Sequence, residues 1–277
     1  SHLFKCFALA ESIQKFGGEL RVLLVDTNKV KSIESVPTNI QFHYLDKISF
    51  ESIVRTKKAY TKDKLRWALK PAYLLYLLND IQEVIYVDND VYFYNEFNFL
   101  FEELQHSDLL LTPHFYPSSP QKDQTWLEAN FRLGLYNAGF IGVNRNGKKA
   151  LEWWSDCCLY EMKRAYWRGL FDDQKYLDLL PVLFNNVRVI KHRGCNFAGW
   201  NNQNNLKEEE IIFIHYNRFT VSKFQVETSL YFNSFLQYLS VLNKYKPNFK
   251  FVKRGGTQFK FKNALYFLRW KLARMLK

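Results

Sequence analysis

Glu83 to Val87 (EVIYV) is a run of β-formers that leads directly into Asp88-Asn89-Asp90. In an open α/β sheet, ligands bind in the crevice beyond the carboxyl ends of the strands. Residues i and i+2 of an extended chain share a side, so both carboxylates can face one hard cation. Magnesium or manganese held there would bridge to a diphosphate and neutralise the charge that builds on it as a leaving group. A solvated turn gives the same letters, so the pair acquires meaning only from the elements around it.

Those elements alternate. Ser1 to Phe16 has Leu3, Phe7, Ala10 and Ile13 at helical spacing. Arg21 to Asp26 (RVLLVD) and Gln41 to Tyr44 read as strands. Thr61 to Leu78 reads as a long helix that Pro71 either kinks or restarts. Further strands are expected at Leu109 to Thr112, Tyr136 to Asn144, Val187 to Ile190 and Ile211 to Ile214, with helices at Gly147 to Tyr160 and Phe171 to Leu180. The pattern predicts an α/β fold with a mostly parallel sheet flanked by helices. A strand normally opens such a sheet, so a first strand is expected ahead of the helix that begins at Ser1.

Composition sets the remaining bounds. With 277 residues and 47% apolar side chains, the chain can bury a large core without staples. Cys6, Cys157, Cys158 and Cys195 have no metal-binding spacing and read as reduced thiols, which suits a cytoplasmic setting. No apolar run reaches the roughly 18 to 20 residues of a membrane span. The net charge of +12 is concentrated: Val241 to Lys277 holds eleven Lys or Arg and no acid, which leaves the first 240 residues at +1. A domain over 1–240 and a basic tail over 241–277 are therefore expected. In the tail, Leu265, Leu268, Leu272, Met275 and Leu276 share a helical face ringed by Arg269, Lys271, Arg274 and Lys277. Such a helix lies on anionic membranes, which predicts a peripheral position at the inner face; docking on the body is the plainer reading. No motif supports a nucleic-acid partner.

A series of segments in order resembles the glycosyltransferases with a GT-A fold, particularly family 8 and related bacterial cell-envelope sugar transferases. They are Ala68 to Pro71 (ALKP), Val84 to Val91 (VIYVDNDV), Leu135 to Val143 (LYNAGFIGV), Phe171 to Tyr176 (FDDQKY), Cys195 to Asn201 (CNFAGWN) and Phe213 to Tyr216 (FIHY). The resemblance implies that Asp88 and Asp90 are metal ligands with His215 as the third, and that the ion is Mn2+ or Mg2+. It implies that Asn137, with Ala138 and Gly139, contacts the donor sugar, and that Asn89 belongs to the same donor site. Asp172, Asp173 and Gln174 match the acidic segment beside the reacting carbon, with Asp173 favoured for chemistry and Asp172 for capping a helix. Lys70 lies where related enzymes direct a cation at the donor, and Asn196, Trp200 and Asn201 are candidates for the pocket wall. Tyr216-Asn217-Arg218 departs from the family 8 pattern after the histidine, which leaves its diphosphate lysine unassigned, with Arg218 and Lys223 as candidate substitutes.

The implied reaction moves a hexose from a nucleotide diphosphate, UDP by preference, to a glycan or lipid-linked glycan of the cell envelope, such as lipopolysaccharide or capsule, with retention favoured. A phosphatase of the haloacid-dehalogenase type is the enzymatic alternative, since Asp88-Asn89-Asp90-Val91 fits its strand end. An inactive sugar-nucleotide-binding membrane partner is the other.

Overall fold

A computed structural model describes residues 2–26, 36–121, 123–202 and 206–251. Helix α1 (Leu3–Gln14) precedes the parallel strands β1 (Leu20–Leu24) and β2 (Ile40–Tyr44). Helices α2 (Glu51–Ala59) and α3 (Lys62–Leu77) follow, then β3 (Glu83–Val87) and β4 (Val91–Phe93). Next come α4 (Asn98–Gln105), β5 (Leu109–Pro113), α5 (Gln124–Leu133), β6 (Tyr136–Asn144) and α6 (Lys148–Tyr160). A short hairpin of β7 (Arg164–Ala165) and β8 (Leu170–Phe171) leads through a 3-10 turn to α7 (Leu180–Leu183). Then β9 (Val187–Val189), β10 (Phe213–His215), α8 (Arg218–Phe224) and α9 (Phe232–Tyr245) complete the order.

The central sheet has the order β3-β6-β5-β9. Strands β3, β5 and β9 run the same way, and β6 alone runs against them, antiparallel to β3 and β5. The α/β architecture matches the sequence reading, and the reversal of β6 is what alternation of elements did not show. That reversal has a functional result: β6 begins where β3 ends, so Asn137 to Gly139 lie beside Asp88, whose N–H donates to the Gly139 carbonyl at 3.0 Å.

Alternate residues of β6 feed two cores. Ile141 and Val143 join Leu109, Leu111, Leu74, Leu151 and Trp154, under α3 and α6. Phe140 joins Leu110, Leu100, Phe93 and Phe213, under α1 and α4. With both faces covered, β6 is buried from Asn137 to Val143. Strand β3 contrasts with it, for each of its five residues is only half-buried. Its edge away from β6 and the strand β1 flank a cavity of about 830 Å³, which extends to Asp88, Asn89 and Asp90.

Three local expectations change. Helix α3 runs through Pro71 without restarting, because Leu65, Ala68, Leu69 and Ala72 are all buried along its face. The helix expected over Phe171 to Leu180 is absent as such: Phe171 pairs with Arg164 in the hairpin, and Asp172 has φ +45°, a left-handed backbone that ends it. Asp172 therefore caps no helix. The last strand is Phe213–His215, so His215 lies within it rather than after it.

One compact unit spans Ser1–Pro247 and a second Asn248–Lys277, and α9 passes through position 241. The amphipathic segment Asn263 to Lys277 lies outside the described residues, as does the Gly255-Gly256 pair. Among the described residues no helix is long and apolar enough to cross a membrane. All four cysteines are free thiols.

Candidate active site

Three elements bring the acidic groups together. Strand β3 delivers Asp88, the turn after it delivers Asp90, and β10, antiparallel to β4, carries His215 opposite Val91. One ligand atom each from Asp88, Asp90 and His215 lies within 4.8 Å of the others. The His215 Nε2 is 3.2 Å from Asp90 Oδ1 and 3.8 Å from Asp88 Oδ2. Two carboxylates and an imidazole, converging from half-buried and buried positions, suit a divalent cation of the manganese or magnesium kind. Burial works to lower the His215 pKa, but the charges of Asp90 and then Asp88 outweigh it and hold the imidazole above its ordinary value. Burial opposes ionisation of Asp90 as well, yet His215 and Lys5 keep its carboxyl below the usual range.

Lys70 sits at the centre of a second group. Its Nζ lies 3.0 Å from Asp173 Oδ2 and 3.2 Å from Asp88 Oδ1, and it donates to the Ala138 carbonyl at 2.9 Å. It is only 5% exposed. Burial alone would lower its pKa; Asp173 and Asp88 together raise it, and the ammonium is secure. Asp173 is pushed up by burial, against the pull of Lys70. The backbone of Asp173 is pinned from below, where Trp154 Nε1 donates to its carbonyl at 2.8 Å. Asp172 pairs instead with Arg164, 2.5 Å from its Nε. Gln174 is bound internally: it donates to Leu133 O at 2.9 Å and accepts from Ala138 N at 3.3 Å.

Asn137 is 6% exposed and engaged on both sides of its amide. Its Oδ1 accepts from Gly139 N at 2.7 Å and its Nδ2 lies 3.1 Å from His114 Nε2. Gly139 has no room for a side chain, since a Cβ there would stand 2.5 Å from Asn137 Oδ1 and 2.6 Å from His215 Cε1. Asn201 stitches its own loop: Oδ1 accepts from Ala198 N, while Nδ2 donates to His114 O and Asn196 O. Asn196 and Asn201 are fully buried, so neither forms an open pocket wall. Trp200 packs edge-on against His215 at 5.6 Å. Asn89 lines the cavity with Asp88 and Asp90.

Arg218 is exposed on α8, and Lys223 lies over the Phe219 ring. The cations that reach the carboxylate pair are instead Lys70 and Lys5, the latter 3.8 Å from Asp90. The sequence reading passed over Lys5, Tyr86 and His114. Tyr86 donates to Asp88 Oδ1 at 2.6 Å, and its i, i+2 spacing was a usable signal. His114 follows β5 directly, a strand-end position like that of Asp88, whereas Lys5 on α1 carried no signal at all.

No family model matches the chain. It is 29% identical over 244 residues to the uncharacterized protein YfnD of Bacillus subtilis (strain 168), covering 80% of this chain and 76% of that protein. It is 30% identical over 216 residues to the uncharacterized protein YfnF of the same strain, covering 72% of this chain and 68% of that protein. Among solved structures, mouse xyloside xylosyltransferase 1 in its apo form aligns with a TM-score of 0.50 and 14% identity, over 79% of this chain and 93% of that one. The fold is thus of the glycosyltransferase type.

Proposed function

The chain belongs to the family of the Bacillus subtilis protein YfnF, and we propose that it acts there as a metal-dependent glycosyltransferase that uses a nucleotide-diphosphate sugar. The observation that carries this reading is the convergence of Asp88, Asp90 and His215 within 4.8 Å at the end of β3, in a fold of glycosyltransferase type. A bound manganese or magnesium ion would supply charge neutralisation for a diphosphate leaving group. Asp88, Asp90 and His215 would hold it, and the donor set of two hard oxygens and one imidazole fits either metal.

The residues around that point divide the remaining work. Asn89 and the cavity beside it accommodate the nucleotide, with UDP preferred. Asn137, Ala138 and Gly139 bring backbone and amide close to the hexose. The bond from the anomeric carbon to the diphosphate oxygen breaks and a bond to an acceptor oxygen forms, while the acceptor hydroxyl loses its proton. Asp173 is the carboxylate placed to stabilise positive charge at that carbon or to receive that proton. Lys70 opposes the burial that disfavours its charged form, in a setting where fixed charges act most strongly. The resemblance to family 8 supports retention of configuration. Trp200 is buried against His215 and packs this group from behind, and a glycan or lipid-linked glycan of the cell envelope is the acceptor class. The basic segment 241–277 fits attachment to an anionic membrane from the cytoplasmic side. No observation favours the phosphatase alternative.

The test is calorimetric titration of UDP with manganese and with EDTA, on the native protein and on Asp88→Ala and Asp90→Ala. Metal-dependent binding that disappears in both variants supports the reading and opens a donor screen. Absence of binding for UDP, GDP, CMP and dTDP alike would sink it.

A further inference from the structure

His215 has a second ring nitrogen, and its surroundings are specific. Nδ1 is buried and makes no hydrogen bond. The position that a Cβ on Gly139 would take lies 3.0 Å from this Nδ1 and 2.5 Å from Asn137 Oδ1. The two polar atoms therefore face one small space that glycine alone leaves open. A histidine that binds a metal through one nitrogen commonly donates from the other to a carbonyl or carboxylate oxygen, which fixes its tautomer and ring orientation.

The orientation of Asn137 is set from its other side. His114 Nδ1 lies 3.3 Å from the Leu135 carbonyl, an acceptor, so this nitrogen carries the proton and Nε2 offers its lone pair. That lone pair can accept only from the amide nitrogen of Asn137, 3.1 Å away. The Gly139 N–H, 2.7 Å from the other end of the same amide, requires oxygen there. Both constraints agree, and the amide cannot flip without breaking both. Burial drives the His114 pKa down to about 3, so the ring stays neutral and its lone pair stays available. Tyr116 stacks on His114 at 4.5 Å between centroids and holds the ring plane.

We propose that Asn137, aimed by His114, is a positioning residue for His215: a small closure of the space beside Gly139 would let its Oδ1 receive the Nδ1–H, which has no partner here, and leave the Nε2 lone pair directed at the cation. This rests on the metal-binding part of the reading above but not on the identity of the sugar. It separates two roles for Asn137, because a sugar contact acts only when donor is bound, whereas a positioning role governs binding of the metal alone.

The experiment is titration of Mn2+ without nucleotide, read by calorimetry and by electron paramagnetic resonance of free manganese, on the full chain. Asn137→Ala should weaken manganese binding by roughly 10- to 100-fold. Asn137→Asp, which keeps an acceptor oxygen, should bind at least as tightly as the native protein. His114→Gln should stay near native affinity, since its side-chain carbonyl can still accept from the amide, and His114→Leu should fall toward Asn137→Ala. Nitrogen NMR of His215 with Mg2+ bound supplies a second readout, with the Nδ1–H tautomer expected in the native protein and mixed tautomers in Asn137→Ala. Native manganese affinity in Asn137→Ala, with loss only of nucleotide-sugar binding, would overturn the inference and leave Asn137 as a sugar contact. Absence of manganese binding in the native protein would instead sink the metal reading itself.

Discussion

Replacing Lys70 by methionine keeps the length of the side chain and removes its charge. The ammonium is 5% exposed and lies 3.0 Å from Asp173, whose side chain is 6% exposed, and 3.2 Å from Asp88, at 29%. Breaking a buried pair by removing one partner costs about 3–5 kcal/mol, because the other charge stays buried without compensation. Most of that cost falls on Asp173, since water screens Asp88. Loss of the donor to Ala138 O adds about 1 kcal/mol. At pH 8 Lys70→Met should therefore unfold about 4 kcal/mol more easily, which for a unit of this size lowers Tm by about 10 °C. The variant's sensitivity to pH follows from Asp173, whose folded pKa is already raised and rises further without Lys70. A carboxyl with a raised folded pKa destabilises above that pKa and ceases to do so as pH falls through it, so the deficit should shrink at pH 5. Urea unfolding at both pH values measures this, and adding Asp173→Asn to Lys70→Met should restore much of the loss at pH 8. A deficit below about 1 kcal/mol, or one that neither acid nor the second substitution relieves, would refute the view of Lys70 as the counter-charge of Asp173.

Three further outcomes follow from the same geometry. His114 has its pKa lowered to about 3, so between that value and its unfolded value near 6.5 the unfolded chain binds the extra proton; stability should fall by about 1.4 kcal/mol per pH unit as pH drops through this window, and His114→Gln should remove that slope in urea titrations. Gly139→Ala places a methyl 2.5 Å from Asn137 Oδ1 and 2.6 Å from His215 Cε1; circular dichroism should report a folded chain whose manganese affinity drops on the order of tenfold or more. Asn201→Ala removes the hydrogen bonds to Ala198, His114 and Asn196; thermal unfolding should show a loss of about 1–3 kcal/mol, and native stability would mean that the loop does not depend on it.

The sequence made the strands legible where β-formers run together. Val84 to Val87 and Phe140 to Val143 announce themselves by composition, and the position of Asp88 and Asp90 after β3 follows from the first of them. Direction was not legible, because the same apolar run serves a parallel or an antiparallel neighbour, and β6 was read only as one more strand. The 170–180 region misled for a local reason: Asp172 in the left-handed region and the pairing of Arg164 with Phe171 depend on contacts distant from any helical period. Lys70, Asp88 and Asp173 come from three elements, so their meeting was visible only by resemblance. His114 was hidden because its part depends on where Asn137 points.

The two ladders of β6 bear on how this chain can change in length. Phe140 and Ile141 are paired with Val87 and Tyr86 on one edge, while Ile141 and Gly142 are paired with Leu111 and Leu110 on the other. A single residue inserted or removed after Asn137 would have to be absorbed on both edges at once, or would exchange the faces of every side chain beyond it. Such an indel would turn the inward amide of Asn137, or the bare face of Gly139, away from His215 while leaving most of the apolar letters in place. The stretch between β5 and α5, with Pro117 and Pro120 and exposed residues about them, has no such double clamp. Length variation among relatives should therefore collect between positions 116 and 123 and be absent between 136 and 144.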